Sequence, residues 1–219
     1  MADLRTEEEQ IEAIKNWWKE NGRSTVLGVA LAAVAVFGWR TYQDFEQQKA
    51  ETASAIYQNL TGAIQLQPGE ELPQERRATA EHLAGQLKSD FSASAYAQFA
   101  ALWLAKSAVE AGELDRARQE LEWVLAQQPE PEVQQVASQR LARVLAASEQ
   151  YPQALAALGD APRQGFEATF YEIKGDILLH QGDIDGARRA YRQGIDLAGE
   201  EPRPILTMKL DDLAVAEES

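Results

Sequence analysis

"GDIDGARRAY", at residues 182–191, opens with a glycine turn, continues with an aspartate suited to cap a helix, and then places a small alanine ahead of a tyrosine. Two earlier stretches have a similar layout, "GELDRARQEL" at 112–121 and "EQYPQALAAL" at 149–158. In all three, an alanine stands five residues after the start, and a large apolar residue follows four residues later. Each stretch therefore predicts a turn and then a second helix that packs closely on the one before it.

The spacing of these alanines indicates a repeat. Ala117, Ala154 and Ala187 are 37 and 33 residues apart, which brackets the period of about 34 residues typical of tetratricopeptide repeats. Helices cross closely where small residues meet, and Ala142 and Gly175 stand at matching places in the first helices. The sequence thus predicts an all-α, tetratricopeptide-like right-handed superhelix of helical hairpins.

The chain after residue 43 reads as helices separated by turns, because glycine and proline interrupt a helical apolar pattern. The clearest repeat units fall at about 98–131, 135–163 and 168–202, and a C-terminal capping helix follows at about 204–216. Residues 44–90 lack the signature, and two interpretations stay open for them: a degenerate capping repeat, or a stalk that continues the preceding helix. The side chains expected to cover the C-terminal end are Ile205, Leu206, Met208, Leu210 and Leu213.

The stretch "STVLGVALAAVAVFGW", residues 24–39, has no charged side chain. From Trp18 to Trp39 a helix rises about 32 Å, which matches a hydrocarbon core about 30 Å thick. We predict one N-terminal transmembrane helix at 24–42 that contacts the lipid bilayer. A cleaved signal peptide and a buried core helix are the alternatives, but the preceding segment is long and acidic, and no polar stripe breaks the run. The predicted membrane borders are Trp17, Trp18, Arg23, Trp39, Arg40 and Tyr42.

The distribution of lysine and arginine predicts the orientation of this helix. Lys15, Lys19 and Arg23 precede the run closely, whereas Arg40 and Lys49 follow it. We therefore expect a cytoplasmic amphipathic tip at 1–23 and a domain at 43–219 across the membrane, in the periplasm of a bacterium. The tip is interpreted as an interfacial helix, with a docking peptide for a cytoplasmic partner as the alternative.

Composition narrows the chemistry that this chain performs. Its 35 acidic and 21 basic side chains give a net charge of −14, which disfavours contact with nucleic acid. Without cysteine it has no thiolate metal site and no thiol nucleophile. Asp176 and His180 lie four residues apart, and a surface ion pair is favoured there over an acid–base pair or half a metal site. We predict no catalytic, cofactor-binding or metal-binding residues, and no enzyme activity.

The inner, concave face of a repeat superhelix is lined by the polar faces of the first helices of its hairpins. Side chains spaced to point that way predict a groove that binds a peptide or a protein partner, and a merely solvated face is the alternative. The predicted groove residues are Lys106, Gln139, Arg143, Glu172, Asp176 and His180.

The order of several short stretches resembles the bacterial YfgM family, the ancillary subunit of the SecYEG translocon. They are "IEAIKNWWKENG" (11–22), "GWR" (38–40), "ASAIYQN" (53–59), "QRLARVLA" (139–146), "IKGDILLHQGDIDGARRAY" (173–191) and "MKLDDL" (208–213). The resemblance implies a single-pass inner-membrane protein with a periplasmic tetratricopeptide-like domain. It also implies association with the translocon and with a membrane-anchored periplasmic chaperone similar to prolyl isomerases, and it implies no catalytic residues.

These observations favour a non-enzymatic, membrane-anchored interaction module that links exported client proteins to periplasmic chaperones. One alternative is a stress-regulatory protein that sequesters a cytoplasmic response regulator through residues 1–23. Another is a scaffold for assembly of the cell envelope, since a fold does not determine a function.

Overall fold

The computed structural model describes residues 7–67, 69–199 and 202–215 of the chain. In those ranges all regular secondary structure is helical, so the predicted all-α fold class is confirmed. Residue 216, the predicted end of the capping helix, lies outside the described residues. The helices are α1 (Glu7–Ile64), α2 (Gln74–Asp90), α3 (Ala95–Glu110), α4 (Leu114–Ala126), α5 (Pro131–Ala147), α6 (Tyr151–Leu158), α7 (Glu167–His180), α8 (Ile184–Leu197) and α9 (Pro204–Val215).

The chain divides into two compact units, Met1–Thr52 and Ala53–Ser219, and the boundary falls within α1. In the first unit the apolar run is exposed: Val29, Leu31 and Val34 have 65%, 62% and 71% of their surface accessible. A helix of a soluble core would bury these side chains. This helix is long and apolar enough to cross a membrane, the one such helix among the described residues.

Aromatic pairs flank the apolar run at both ends. The rings of Trp17 and Trp18 lie 6.3 Å apart, and those of Trp39 and Tyr42 lie 6.2 Å apart. Such pairs are typical of the two interfaces of a membrane-spanning helix.

In the second unit, α3 with α4, α5 with α6, and α7 with α8 form three helical hairpins. Ser94 accepts a hydrogen bond from the Ala97 N–H at 3.2 Å, which caps the start of α3. Asp183 caps α8 in the same way, by accepting from the Gly186 N–H at 2.8 Å. Gly112 and Gly182 take the left-handed backbone conformation in the turns inside their hairpins, with φ of 76° and 83°.

Small residues stand at the predicted helix crossings. Ala117, Ala154 and Ala187 are fully buried, and each belongs to the second helix of its hairpin. Gly175 of α7 lies directly against the ring of Tyr191 in α8. The repeat pattern found in the sequence therefore corresponds to close helix packing in the structure.

The last part of α1 belongs to the repeat stack. Ala53, Ile56 and Leu60 are buried in one cluster with Ala84 of α2 and Leu104 of α3. Residues 53–64 and α2 thus serve as an additional packing layer on the first clear repeat, which agrees with the interpretation of a degenerate capping repeat.

Arg76 of α2 closes the end of α1. Its guanidinium donates hydrogen bonds to the carbonyl oxygens of Gly62, Ala63 and Gln65 at 3.2, 2.9 and 2.6 Å. We expect Arg76→Gln to lower the free energy of unfolding by about 2 kcal/mol, because charged donors to carbonyls otherwise left without partners are lost. Hydrogen exchange at residues 53–64 would measure the effect, with Arg192→Gln on the exposed face of α8 as the control. Equal exchange in both variants would contradict this role.

Helix α9 covers the end of the stack with fewer side chains than predicted. Leu206 and Leu213 are buried beside Tyr191, and Leu210 packs partly against them. Ile205 and Met208 are 59% and 57% exposed. The prediction was wrong for these two, because they face away from the side of α9 that contacts α8.

Candidate partner-binding groove

A groove of about 560 Å³ lies between α3 and α5, over the second helix of the first repeat. We call it the α3–α5 groove. Four charged side chains, Lys106, Glu110, Arg140 and Arg143, stand among apolar ones. The apolar lining residues are Ala105, Val109, Leu114, Leu121, Val144 and Ala147.

Helical spacing brings these residues to one surface. On α5, Arg140, Arg143 and Ala147 are three and four residues apart, so they follow one side of the helix. On α3, Lys106 and Val109 share a face in the same way. Together the two helices form an apolar trough with charged edges, a shape suited to hold an apolar segment while polar groups at the rim fix its position.

The charged side chains on the α3 edge and on the α5 edge of the groove make different hydrogen bonds and ion pairs. Lys106 faces Glu110 at 3.6 Å, and both side chains are about half exposed or more, so this pair contributes little stability. Arg140 instead donates to the carbonyl oxygen of Leu102 at 3.3 Å. Burial, followed by the positive charge of Arg143, lowers the pKa of Arg140. Among the described residues no carboxylate oxygen lies within 4.0 Å of Arg140 or Arg143.

Two of the six predicted groove residues, Lys106 and Arg143, line the α3–α5 groove. Gln139 does not, because it is only 5% exposed and its amide donates to the carbonyl oxygen of Phe166 at 3.3 Å. Its neighbour one turn earlier, Gln135, accepts from the Arg163 N–H at 3.4 Å. The prediction for Gln139 was wrong, since this side of α5 holds the loop before α7 instead of facing an open surface.

Glu172 and Asp176 of α7 are occupied by a partner within the chain. Lys209 of α9 donates to Glu172 at 2.9 Å and to both carboxylate oxygens of Asp176 at 2.8 Å. The hydroxyl of Tyr191 donates to Asp176 at 2.8 Å. Burial, and then this hydrogen bond, raises the pKa of Tyr191. The two carboxylates therefore help to dock α9 and do not line the α3–α5 groove, so their role in partner binding stays a prediction.

His180 lies at the exposed end of α7, where its ring stacks on that of Tyr151 at 6.1 Å with a 4° angle between planes. The predicted ion pair between Asp176 and His180 does not form in the described structure, because Asp176 takes Lys209 and Tyr191 as partners. Glu172, Asp176 and His180 are thus separate from the α3–α5 groove.

Lys209 provides a test of how α9 is held. Burial lowers its pKa, but hydrogen bonds and attraction from Asp176 and Glu172 outweigh burial and raise the pKa overall. Its contribution to stability is therefore complete below the ordinary lysine value of 10.5 and is lost as pH rises through the raised value.

We expect Lys209→Met to lower the free energy of unfolding by about 1 kcal/mol near neutral pH, a modest loss because the ion pairs are partly exposed. Hydrogen exchange in α9 should speed up, and the difference from the natural chain should shrink at strongly alkaline pH. Lys174→Met on α7, a lysine with no ion pair among the described residues, is the control. A difference that persists unchanged with pH would contradict the role of the lysine charge.

Sequence reasoning missed Arg140. The prediction followed the first-helix face through Gln139 and Arg143, whereas the groove follows Arg140, Arg143 and Ala147. The sequence did contain a signal, the apolar pattern of α5. Leu141, Ala142 and Leu145 form one side of this helix, so the residues at 140, 143 and 147 lie on the opposite side.

Comparison with known proteins identifies a family and several relatives of similar sequence. A family model described as a tetratricopeptide repeat-like domain matches residues 15–215. Relatives from Escherichia coli K12 and Haemophilus influenzae are 31% and 30% identical over 98% and 97% of this chain, and over 100% of their own lengths. A Neisseria gonorrhoeae relative is 29% identical over 97% of this chain and 100% of its own length. Each is named an ancillary SecYEG translocon subunit. No solved structure matches significantly.

Proposed function

Because this chain belongs to the tetratricopeptide repeat-like family of ancillary SecYEG translocon subunits, we propose that it is a single-pass inner-membrane protein that helps exported proteins pass from the translocon to periplasmic chaperones. The observation that carries the proposal is full-length similarity to translocon subunits in a chain that joins an apolar helix to a repeat domain. In this proposal the chain has no enzymatic activity and acts through binding alone.

The proposed orientation places residues 1–23 in the cytoplasm and residues 43–219 in the periplasm. It rests on the excess of lysine and arginine before the apolar run. An acidic repeat domain suits this position, because it is repelled by the anionic surface of the membrane and remains available to soluble partners.

The α3–α5 groove is the proposed contact surface for a partner, either a translocon component or an emerging client protein. Val109 of its apolar wall is 45% exposed and Ala147 is also exposed, whereas Ala105, Leu121 and Val144 are buried beneath them. Exposed apolar surface with a polar rim is typical of protein interaction sites. The proposed chaperone partner is membrane-anchored and resembles prolyl isomerases, and it would receive the client from this chain.

Photocrosslinking in growing cells tests the proposal. A photoreactive amino acid at Val109 of the full-length chain should capture translocon subunits, exported proteins or a periplasmic chaperone. The same probe at Glu122, exposed on α4 outside the groove, serves as the matched control and should capture far less. Equal capture from both positions, or capture of cytoplasmic proteins only, would contradict the proposed role of the groove.

A further inference from the structure

The α3–α5 groove contains a pair of arginines that lack the carboxylate partners found around several other arginines of the domain. Arg116 lies 3.5 Å from Glu81 and 3.0 Å from Glu113. Arg118 pairs with Asp115 at 3.2 Å, and Arg163 with Glu132 at the same distance. Arg140 and Arg143 have no such carboxylate among the described residues, although the chain carries 35 acidic side chains.

The position of Arg140 and Arg143 indicates what kind of group could bind to them. Arg140 is held beside the groove by its hydrogen bond to the carbonyl oxygen of Leu102, and Arg143 lies one turn further along α5. Two neighbouring positive charges repel each other, and the surroundings of Arg140 weaken its solvation, whereas Arg143 is exposed. An oxygen anion that lay between them would relieve both costs, because guanidinium groups bind carboxylates through paired, parallel hydrogen bonds.

The rest of the groove indicates what would carry the anion. Its wall is formed by alanine, valine and leucine side chains, so the occupant is apolar along most of its length. The net charge of −14 opposes polyanions such as nucleic acid, whereas a single carboxylate within an apolar segment experiences mainly the local arginines.

We propose that the α3–α5 groove binds an apolar peptide segment of a partner protein that bears a carboxylate, and that Arg140 and Arg143 hold this carboxylate. The inference deepens the proposed function and rests on it, since it names the chemistry of the segment that the groove accepts. Arg140 and Arg143 make the groove selective: an apolar segment with an amide in place of the carboxylate binds more weakly.

Binding of synthetic peptides to the full-length chain in lipid nanodiscs tests the inference. The probes are two short fluorescein-labelled peptides of alternating leucine and serine, identical except for a central glutamate or glutamine. Fluorescence anisotropy should give roughly tenfold tighter binding for the glutamate peptide, since a hydrogen-bonded ion pair replaces a neutral contact. The preference should decline as salt is added.

Arg143→Gln should remove most of this preference without harming the fold, because Arg143 makes no hydrogen bond to the rest of the described chain. The double variant Arg140→Gln, Arg143→Gln should abolish it, and thermal unfolding would confirm that both variants are folded. Arg192→Gln, which removes one exposed positive charge from α8, is the matched control and should bind like the natural chain. Equal affinities for the two peptides, or a preference that survives in the double variant, would overturn the inference.

The outcomes separate this inference from the proposed function. Capture of export partners from Val109 in cells, combined with equal peptide affinities, would overturn the carboxylate selectivity alone. A tenfold preference without capture of any export partner would overturn the proposed function alone. Displacement of the glutamate peptide by phosphatidylglycerol in the nanodisc, lost in Arg143→Gln, would assign the arginines to lipid headgroups and overturn the inference.

Discussion

Replacing Gly175 by valine is expected to disrupt the last hairpin of the repeat domain. A Cβ atom at Gly175 would lie 2.3 Å from Cε1 and 2.4 Å from Cδ1 of Tyr191. Tyr191 is only 1% exposed, and its hydroxyl donates to Asp176, so the ring has no space to withdraw. We expect a loss of about 3 kcal/mol or more, at the upper end of the range for overpacked cores.

Urea unfolding of the full-length chain in detergent micelles measures this loss, and hydrogen exchange should place it in α7 and α8. Gly85→Val is the matched control, because Gly85 is also inside a helix but has no atom within 4 Å of an added Cβ. That variant should remain near the natural stability, since valine is no worse than glycine in a helix. Equal stability of the two variants would show that Gly175 is not a close helix contact.

The second large effect is expected in the apolar run of α1. Arginine at both Leu31 and Val34 would place two charges near the middle of the predicted span, each costing about 2.5–3.5 kcal/mol. The sum is enough to shift a chain from stable insertion to release or degradation. We expect the double variant to leave the membrane fraction on alkaline extraction, while the natural chain stays in it.

Two controls make the membrane prediction specific. Leu31→Ile with Val34→Ile keeps the run apolar and should leave the chain in the membrane. Arginine at Thr79 and Gly85, both exposed on α2, adds the same charge outside the run and should also leave it there. Retention of the Leu31→Arg, Val34→Arg chain in washed membranes would argue against a bilayer-spanning helix.

The repeat fold could be predicted because its determinants are local. The alanines at 117, 154 and 187 and the turn glycines at 112 and 182 mark each hairpin within about ten residues of sequence. Close helix contacts and tight turns allow only small or flexible residues, so these positions can be recognised within one repeat without knowledge of its neighbours.

The groove residues were harder to predict because distant elements decide their surroundings. Lys209, which occupies Glu172 and Asp176, is 37 and 33 residues away from them in sequence. Gln139 is turned inward by the carbonyl oxygen of Phe166, 27 residues later. Helical spacing identifies which side of a helix is polar, but it does not identify which later segment covers that side.

The junction before the apolar run shows another limit of local signals. Asn21 and Gly22 are poor helix formers, a pair that favours an interruption of the helix, yet α1 continues through them. The side chain of Asn21 donates to the Trp17 carbonyl oxygen at 3.2 Å, and the hydroxyl of Thr25 donates to the Asn21 carbonyl oxygen at 2.9 Å. The polar side chains of this segment therefore find partners on the helix itself, so satisfying them does not require the helix to end there.

Single-cysteine labelling tests the central claim, that one helix spans the inner membrane and the repeat domain lies on its outer side. The natural chain contains no cysteine, so a cysteine at Lys15 or at Glu122 reports its own position. In intact spheroplasts, a membrane-impermeant maleimide should label the Glu122→Cys chain at once and the Lys15→Cys chain only after the membrane is permeabilised. Labelling of Lys15→Cys before permeabilisation, with Glu122→Cys protected, would contradict the account.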